Sequence, residues 1–157
     1  MRHEDDLHAG PSALTDHLGY WLRAVSNHVS HAFKAKVEAR GVTVAEWVVL
    51  RALFDADGLH QHELADKLGL TRGAISKLVD RLVAKGLLSC TPSTKDRRYQ
   101  HLALTEAGKA LVPPLCALAD QNDAEHFGHL SEPEHAALLA LLQGIAQRKG
   151  LRGAPVE

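Results

Sequence analysis

Between Thr71 and Leu104 the spacing of apolar residues changes from a helical period to an alternation. Ile75, Leu78, Val79 and Leu82 recur at intervals of three and four and predict one buried face of a helix over 72–85. Thr71 supplies an N-cap hydroxyl before it, and Gly86 can take the left-handed conformation that stops it. Leu87–Thr91 and Tyr99–Leu104 then read as short strands, with Leu88/Cys90 and Leu102/Leu104 alternating. The polar run from Pro92 to Arg98 between them is a hairpin tip. Few folds accommodate a helix that runs through one glycine into a small, basic-tipped hairpin.

The flanking sequence narrows the choice. From Leu14 the residues Leu18, Trp21, Leu22, Val25, Val29, Phe33 and Val37 describe one long helix with a single apolar stripe, ended by Gly41. Thr43-Val44-Ala45-Glu46 is a capping box that opens a second helix, Val44 to Phe54, with Trp47, Val48, Leu50, Ala52 and Leu53 as packing residues and Arg51 facing solvent. Asp57-Gly58 makes a turn. A third helix, Gln61 to Leu68, points Leu64, Ala65 and Leu68 inward and stops at Gly69. Thr105 caps a fifth helix in which Pro113-Pro114 predicts a kink or a restart, since each proline removes an amide donor. Ser131-Glu132-Pro133-Glu134 opens a sixth, with Ala137, Leu138, Leu141, Leu142 and Ile145 on one face.

The expectation is a mainly α fold with a small β-hairpin wing: a winged helix-turn-helix with a helical dimerisation region. Residues 43–104 form the winged lobe; 12–40 and 105–149 hold the helices whose long apolar stripes one chain has little interior to cover, hence dimerisation; 1–11 and 150–157 are flexible termini. The chain's 157 residues suit one cored domain. With 4% aromatic residues, the core must come from Leu, Ala and Val. The acidic start lacks the apolar stretch of a secretory leader, and no apolar run is long enough for a bilayer, so a soluble cytoplasmic protein away from membranes is expected. Two cysteines cannot build a disulfide framework.

Net charge is −1, yet Thr71–His101 holds seven basic residues against two acidic, leaving 11 basic and 17 acidic elsewhere. Such segregation suggests a surface that faces a polyanion. On the fourth helix Gly73, Ser76, Lys77 and Asp80 lie opposite the apolar side, with Arg72 at the flank. Small, polar and basic residues in the first turns suit a helix end in a major groove, and two arginines at a hairpin tip suit the negative potential of a minor groove. The predicted contacts to double-stranded DNA are Thr71, Arg72, Gly73, Ser76, Lys77, Arg81, Lys95, Asp96, Arg97 and Arg98, with Asp96 orienting an arginine. No nucleophile triad, phosphate loop or paired-carboxylate motif stands out, so a non-enzyme without a cofactor is expected.

The chain resembles the MarR family of bacterial transcriptional regulators from about Leu14 to Lys149. The resemblance is carried by Leu64-Ala65, Leu82-Val83-Ala84-Lys85-Gly86-Leu87-Leu88, Asp96-Arg97-Arg98, Leu104-Thr105-Glu106-Ala107-Gly108 and Glu46-Trp47-Val48-Val49-Leu50. It implies a homodimeric repressor on palindromic operators, with the fourth helix in the major groove and the wing arginines in minor grooves. The first, fifth and sixth helices would form the interface, and a ligand or an oxidant would release the DNA. The family's wing motif falls on Asp96 and Arg98, with either Arg97 or Arg98 entering the groove. A cleft for a phenolic or other aromatic effector is implied between the dimer helices and the lobe; His17, Trp21, His31 and Trp47 would line it or else pack as core. The sequence departs from the family at the third helix, where the N-cap is His60 instead of a hydroxyl residue.

Eleven histidines allow another reading, a histidine-rich metal-binding protein or a zinc-sensing regulator on the same fold. His28-x-x-His31 and His126-x-x-His129 have helical ligand spacing, and His60-x-His62 is a third close pair; without a stronger motif such histidines are usually surface or capping residues. Neither Cys90 nor Cys116 has an evident cationic neighbour in sequence, so both read as buried apolar residues rather than reactive thiols.

Overall fold

Four helices begin where a hydroxyl meets otherwise unsatisfied amides. Thr43 accepts from the Glu46 amide to open α2 (Val44–Phe54), and Thr71 accepts from Ala74 to open α4 (Arg72–Ala84). Thr105 and Ser131 do the same for α5 (Glu106–Phe127) and α6 (Glu132–Arg148). Gly69 (φ 67°) and Gly86 (φ 73°) take the expected left-handed backbone after α3 (Gln61–Leu68) and α4. The computed structural model describes residues 10–56 and 58–152. Asp57 of the predicted turn, and 1–9 and 153–157 of the predicted flexible termini, lie outside the described residues.

The first helix is not continuous from Leu14. A single tight turn (Leu14–Asp16) precedes α1 (Leu18–Glu38), and His17 between them is extended. The Asp16 carboxylate accepts from the Ala13 amide at 2.8 Å and the His17 ring bonds the Ala13 carbonyl at 2.9 Å, which closes the turn on itself. The proline pair does not restart the fifth helix, because α5 runs unbroken through Pro113 and Pro114. The carbonyls left without amide donors belong to Lys109 and Ala110, both at exposed positions where water can satisfy them.

The sheet has three antiparallel strands in the order β1 (Leu59–His60), β3 (Gln100–Leu104), β2 (Leu88–Pro92). Leu88 faces Leu104, Cys90 faces Leu102 and Pro92 faces Gln100, while Leu59 and His60 pair with Leu102 and His101. Two residues are too few to display an alternation, and sequence reading missed β1 for that reason. The wing strands start one residue later than predicted, so the tip runs from Ser93 to Tyr99.

Val37, Leu50, Leu53, Leu64, Ile75, Leu82, Leu102, Val112 and Leu115 are almost wholly buried in one core between α2, α3, α4, the sheet and the first half of α5. In α2 the inward residues are Val49, Leu50 and Leu53; Trp47, Val48 and Ala52 are half-buried, and Arg51, itself half-buried, pairs with Asp55 at 2.7 Å. Thr105 reaches back from the start of α5, donating its hydroxyl to the Gly86 carbonyl at 2.7 Å. Gly108 lies against the adjacent Leu87 carbonyl, and a Cβ there would run into that oxygen. A side chain at 108 would lift α5 off the lobe.

One acid is buried. The Glu46 side chain, 2% exposed, accepts from Lys85 Nζ at 2.7 Å, and the same ammonium donates to the Gly41 carbonyl at 2.8 Å. This contact ties the ends of α1, α2 and α4 together. To the core α1 contributes only Val37, and α6 buries nothing. Leu18 is 87% exposed and Leu141 66%, so the stripes of α1 and α6 do not cover one another within the chain. No helix among the described residues is long and apolar enough to cross a membrane.

Candidate nucleic-acid interface

The cap at Thr71 fixes where α4 starts, and its apolar side then fixes which residues face out. Ile75, Leu78, Val79 and Leu82 are buried; Thr71, Arg72, Gly73, Lys77 and Asp80 are exposed, and Ser76 is partly so. Arg72 and Lys77 make no ion pair with any other described residue, so their charge is free for an anionic partner. One member of the basic run is committed elsewhere: Lys85 serves Glu46. Arg81, predicted as a DNA contact, is exposed and also borders the cavity described below. Arg81 is the tenth residue of the 13 in α4, just over one turn beyond Lys77, hence its distance from the helix start.

The wing tip is folded by one hydroxyl. Ser93 is 6% exposed, its Oγ accepts from the Lys95 amide at 3.2 Å and the Asp96 amide at 3.5 Å, and its own amide donates to the Tyr99 carbonyl at 2.9 Å. Within this loop Asp96 accepts the Arg98 amide at 3.0 Å and grips the guanidinium through Nε at 3.1 Å and Nη2 at 2.6 Å. Arg98 holds the Asp96 carboxyl below the usual carboxylate range, and Asp96 raises the guanidinium in return. The Arg98 side chain remains 81% exposed, oriented by the acid but open to a ligand. Arg97 is exposed and, among the described residues, joins no ion pair; Lys95 is exposed beside it. Sequence reading missed Ser93, because nothing local distinguishes it from other turn serines.

A cavity of about 770 Å³ opens between α1 and α2, with Arg81 of α4 at its edge. Phe33 and Trp47, edge to face with centroids 6.3 Å apart, form an aromatic wall; Arg81 and Lys34 bring positive charge, the latter matched by Glu38 at 3.8 Å, and His31 joins them. Its size is that of a small-molecule site. Of the four predicted lining residues, His31 and Trp47 are there. His17 and Trp21 are not: the His17 ring serves Ala13 and Ser12, and the Trp21 indole donates to the Thr15 carbonyl at 2.9 Å, so both brace the turn before α1.

The predicted histidine ligands are dispersed. His28 meets His126 edge to face at 5.2 Å, and His126 Nδ1 bonds the Asn122 carbonyl; His31 turns toward the cavity and His129 is exposed beyond the end of α5. Among the described residues these four form no group of three around a common point. His60, His62 and Glu63 do. At Cys90, burial first and then the Asp80 carboxylate push the thiol up, which suits an inert residue. Cys116 does have a cationic neighbour, Arg51, brought from α2 by the packing of α5.

Comparison with known proteins agrees with this geometry. A family model described as MarR family matches residues 40–98. The HTH-type transcriptional repressor NicR of Pseudomonas putida is 30% identical over 133 residues, covering 85% of this chain and 84% of NicR. BpsR of Bordetella bronchiseptica, whose DNA binding is regulated by 6-hydroxynicotinic acid, superposes with a TM-score of 0.77 at 27% identity over 87% of this chain and 98% of that one. A mutant of MarR from E. coli complexed with operator DNA gives a TM-score of 0.74 at 26% identity over 82% and 92%.

Proposed function

The chain belongs to the MarR family of winged-helix transcriptional regulators, and from that premise we propose that it is a dimeric repressor released from its operator by an aromatic acid. The observation that carries the reading is the pairing of two cationic elements on one lobe: the unpaired Arg72 and Lys77 in the first turns of α4, and Arg98 held out by Asp96 at the wing tip. A helix start of that kind fits a major groove, and a pre-oriented guanidinium fits the adjacent minor groove. Thr71, Gly73 and Ser76 complete the helix face; Lys95 and Arg97 add phosphate contacts beside Arg98. The protein acts by binding, without turnover.

The wing reading makes an unusual demand. Removing an acid near DNA should tighten binding if only net charge mattered. Here Asp96→Ala is expected to weaken operator affinity roughly tenfold, because Arg98 loses its clamp, and Arg98→Ala to weaken it by about 1–3 kcal/mol. Fluorescence anisotropy with duplexes tiled upstream of the protein's own gene, across a salt series, measures both. Tighter binding by Asp96→Ala would refute the clamp.

The cavity supports the choice of effector. Its aromatic wall and the Arg81 guanidinium suit a flat ring bearing a carboxylate, Lys34 being matched by Glu38, and BpsR is regulated by an acid of that class. Arg81 belongs to α4, so a carboxylate bound to it pulls on the recognition helix itself. Aromatic acids are expected to raise the operator Kd of the wild type, and Arg81→Ala to blunt that rise at least severalfold. A variant that responds as the wild type does would exclude Arg81 as the relay.

A further inference from the structure

We propose that His60, His62 and Glu63 bind a divalent transition-metal ion at the base of the wing. One donor atom from each lies within 4.8 Å of the others. The arrangement follows from the chain: His60 is the N-cap of α3, and His62 and Glu63 are its second and third residues. Glu63 Oε2 accepts the His60 amide at 3.2 Å, which leaves Oε1 facing His60 Nδ1 at 3.3 Å. The two imidazole rings are nearly parallel, 11° apart, with centroids separated by 5.6 Å.

A second observation is independent of this clustering. His62 Nδ1 is buried with no hydrogen-bond partner among the described residues. A buried polar atom left unsatisfied costs stability, and here it belongs to a group of potential ligands. His60 is prepared in a complementary way. Its Nε2 meets Ser93 Oγ at 3.1 Å, the outer contact that orients a metal-bound imidazole, so Nδ1 is the nitrogen left for the ion.

The donor set selects the ion class. Two imidazoles and a carboxylate suit Zn²⁺, Cu²⁺ or Ni²⁺, whereas Mg²⁺ and Ca²⁺ prefer oxygen alone. With Zn–N near 2.0–2.1 Å, the donors of a tetrahedral site stand roughly 3.4 Å apart, so side-chain rotation of about 1 Å closes the cluster. The positive end of α3 opposes a cation, and the Glu63 charge offsets it. Three protein donors leave one position open, the mark of an exchangeable ion rather than a permanent strut.

Metal on Nδ1 would keep the proton on Nε2, and the ring would then donate to Ser93 Oγ, the hydroxyl that also folds the loop bearing Asp96 and Arg98. The ion thus pins the wing. This consequence rests on the DNA-binding reading; the site itself does not.

Untagged full-length protein, stripped with chelator, is to be titrated with Co²⁺ followed by visible absorption and then challenged with Zn²⁺. One equivalent per chain is expected, displaced by Zn²⁺. His62→Ala and Glu63→Gln should each lower affinity roughly tenfold or more, while His28→Ala with His126→Ala leaves it unchanged. Glu63→Gln keeps an oxygen for the His60 amide, and far-UV circular dichroism checks the fold of each variant. Absence of saturable binding to the wild type, full affinity in both His62→Ala and Glu63→Gln, or loss in the His28/His126 double variant would overturn the proposal. Cobalt binding in the expected pattern by a chain that ignores every duplex supports the site and removes the regulator reading instead.

Discussion

Leu141→Glu combined with Ile145→Glu is expected to turn the protein into a monomer and to reduce operator affinity about 10³-fold, toward the level of non-specific binding. Both side chains are more than half exposed in the single chain, at 66% and 54%, so the monomer's own packing hardly involves them. Their surroundings suit a partner. Leu138, Leu139 and Leu142 on α6, with Leu14, Leu18, Trp21, Leu22 and Val25 before and along α1, are also exposed. That is more apolar surface than a soluble monomer ordinarily presents. Covering one such side chain contributes about 1.5–3 kcal/mol, and a twofold axis doubles the set, ample for a stable dimer. Two glutamates per chain bury four charges in that interface, which costs more than the remaining contacts return. A monomer reaches one half-site, so the affinity contributed by the second is lost. Sedimentation velocity reads the assembly and anisotropy reads the affinity. A variant that remains dimeric, or a monomer that holds its operator as tightly as the wild type, would contradict the arrangement.

Lys85→Met should destabilise the fold by about 2–3 kcal/mol, a value below the usual cost of breaking a buried pair because the lysine is partly solvated. Methionine keeps the apolar stem but leaves the Glu46 carboxylate, 2% exposed, without its counter-charge, and the Gly41 carbonyl without a donor. Glu46 still receives the Thr43 amide at 3.4 Å, a long bond that cannot replace an ammonium. Adding Glu46→Gln removes the stranded charge and should restore part of the loss, so the double variant is more stable than the sum of the two singles predicts. Chemical denaturation of the four proteins provides the cycle. Additive effects would mean that the 2.7 Å contact contributes nothing. Both losses appear in stability with the α4 surface intact, which separates them from the effect of Arg98→Ala on DNA.

How much of this was legible beforehand varied with distance along the chain. The capping hydroxyls of Thr43, Thr71, Thr105 and Ser131, and the left-handed Gly69 and Gly86, each act within a few residues and were read correctly. So was the inward face of α4, because one helix imposes one period. The breaks came where a residue's partner is remote or where local chemistry was ambiguous. Pro113-Pro114 removes two hydrogen bonds, yet α5 continues because packing along Val112 and Leu115 holds its backbone. His17 and Trp21 looked like pocket residues by type and turned out to brace the start of α1.

The chain alone therefore specified its helices, its hairpin, the family it resembles and the cationic segment suited to DNA, since propensity, capping and periodicity are properties of neighbours. Folding decided which of those charges are free. It set Lys85 on Glu46 across 39 residues, tied His60 to Ser93 across 33, and put Arg81 at the edge of a cavity. Contacts of that span depend on how whole elements are placed against a common core, and no local pattern encodes that placement.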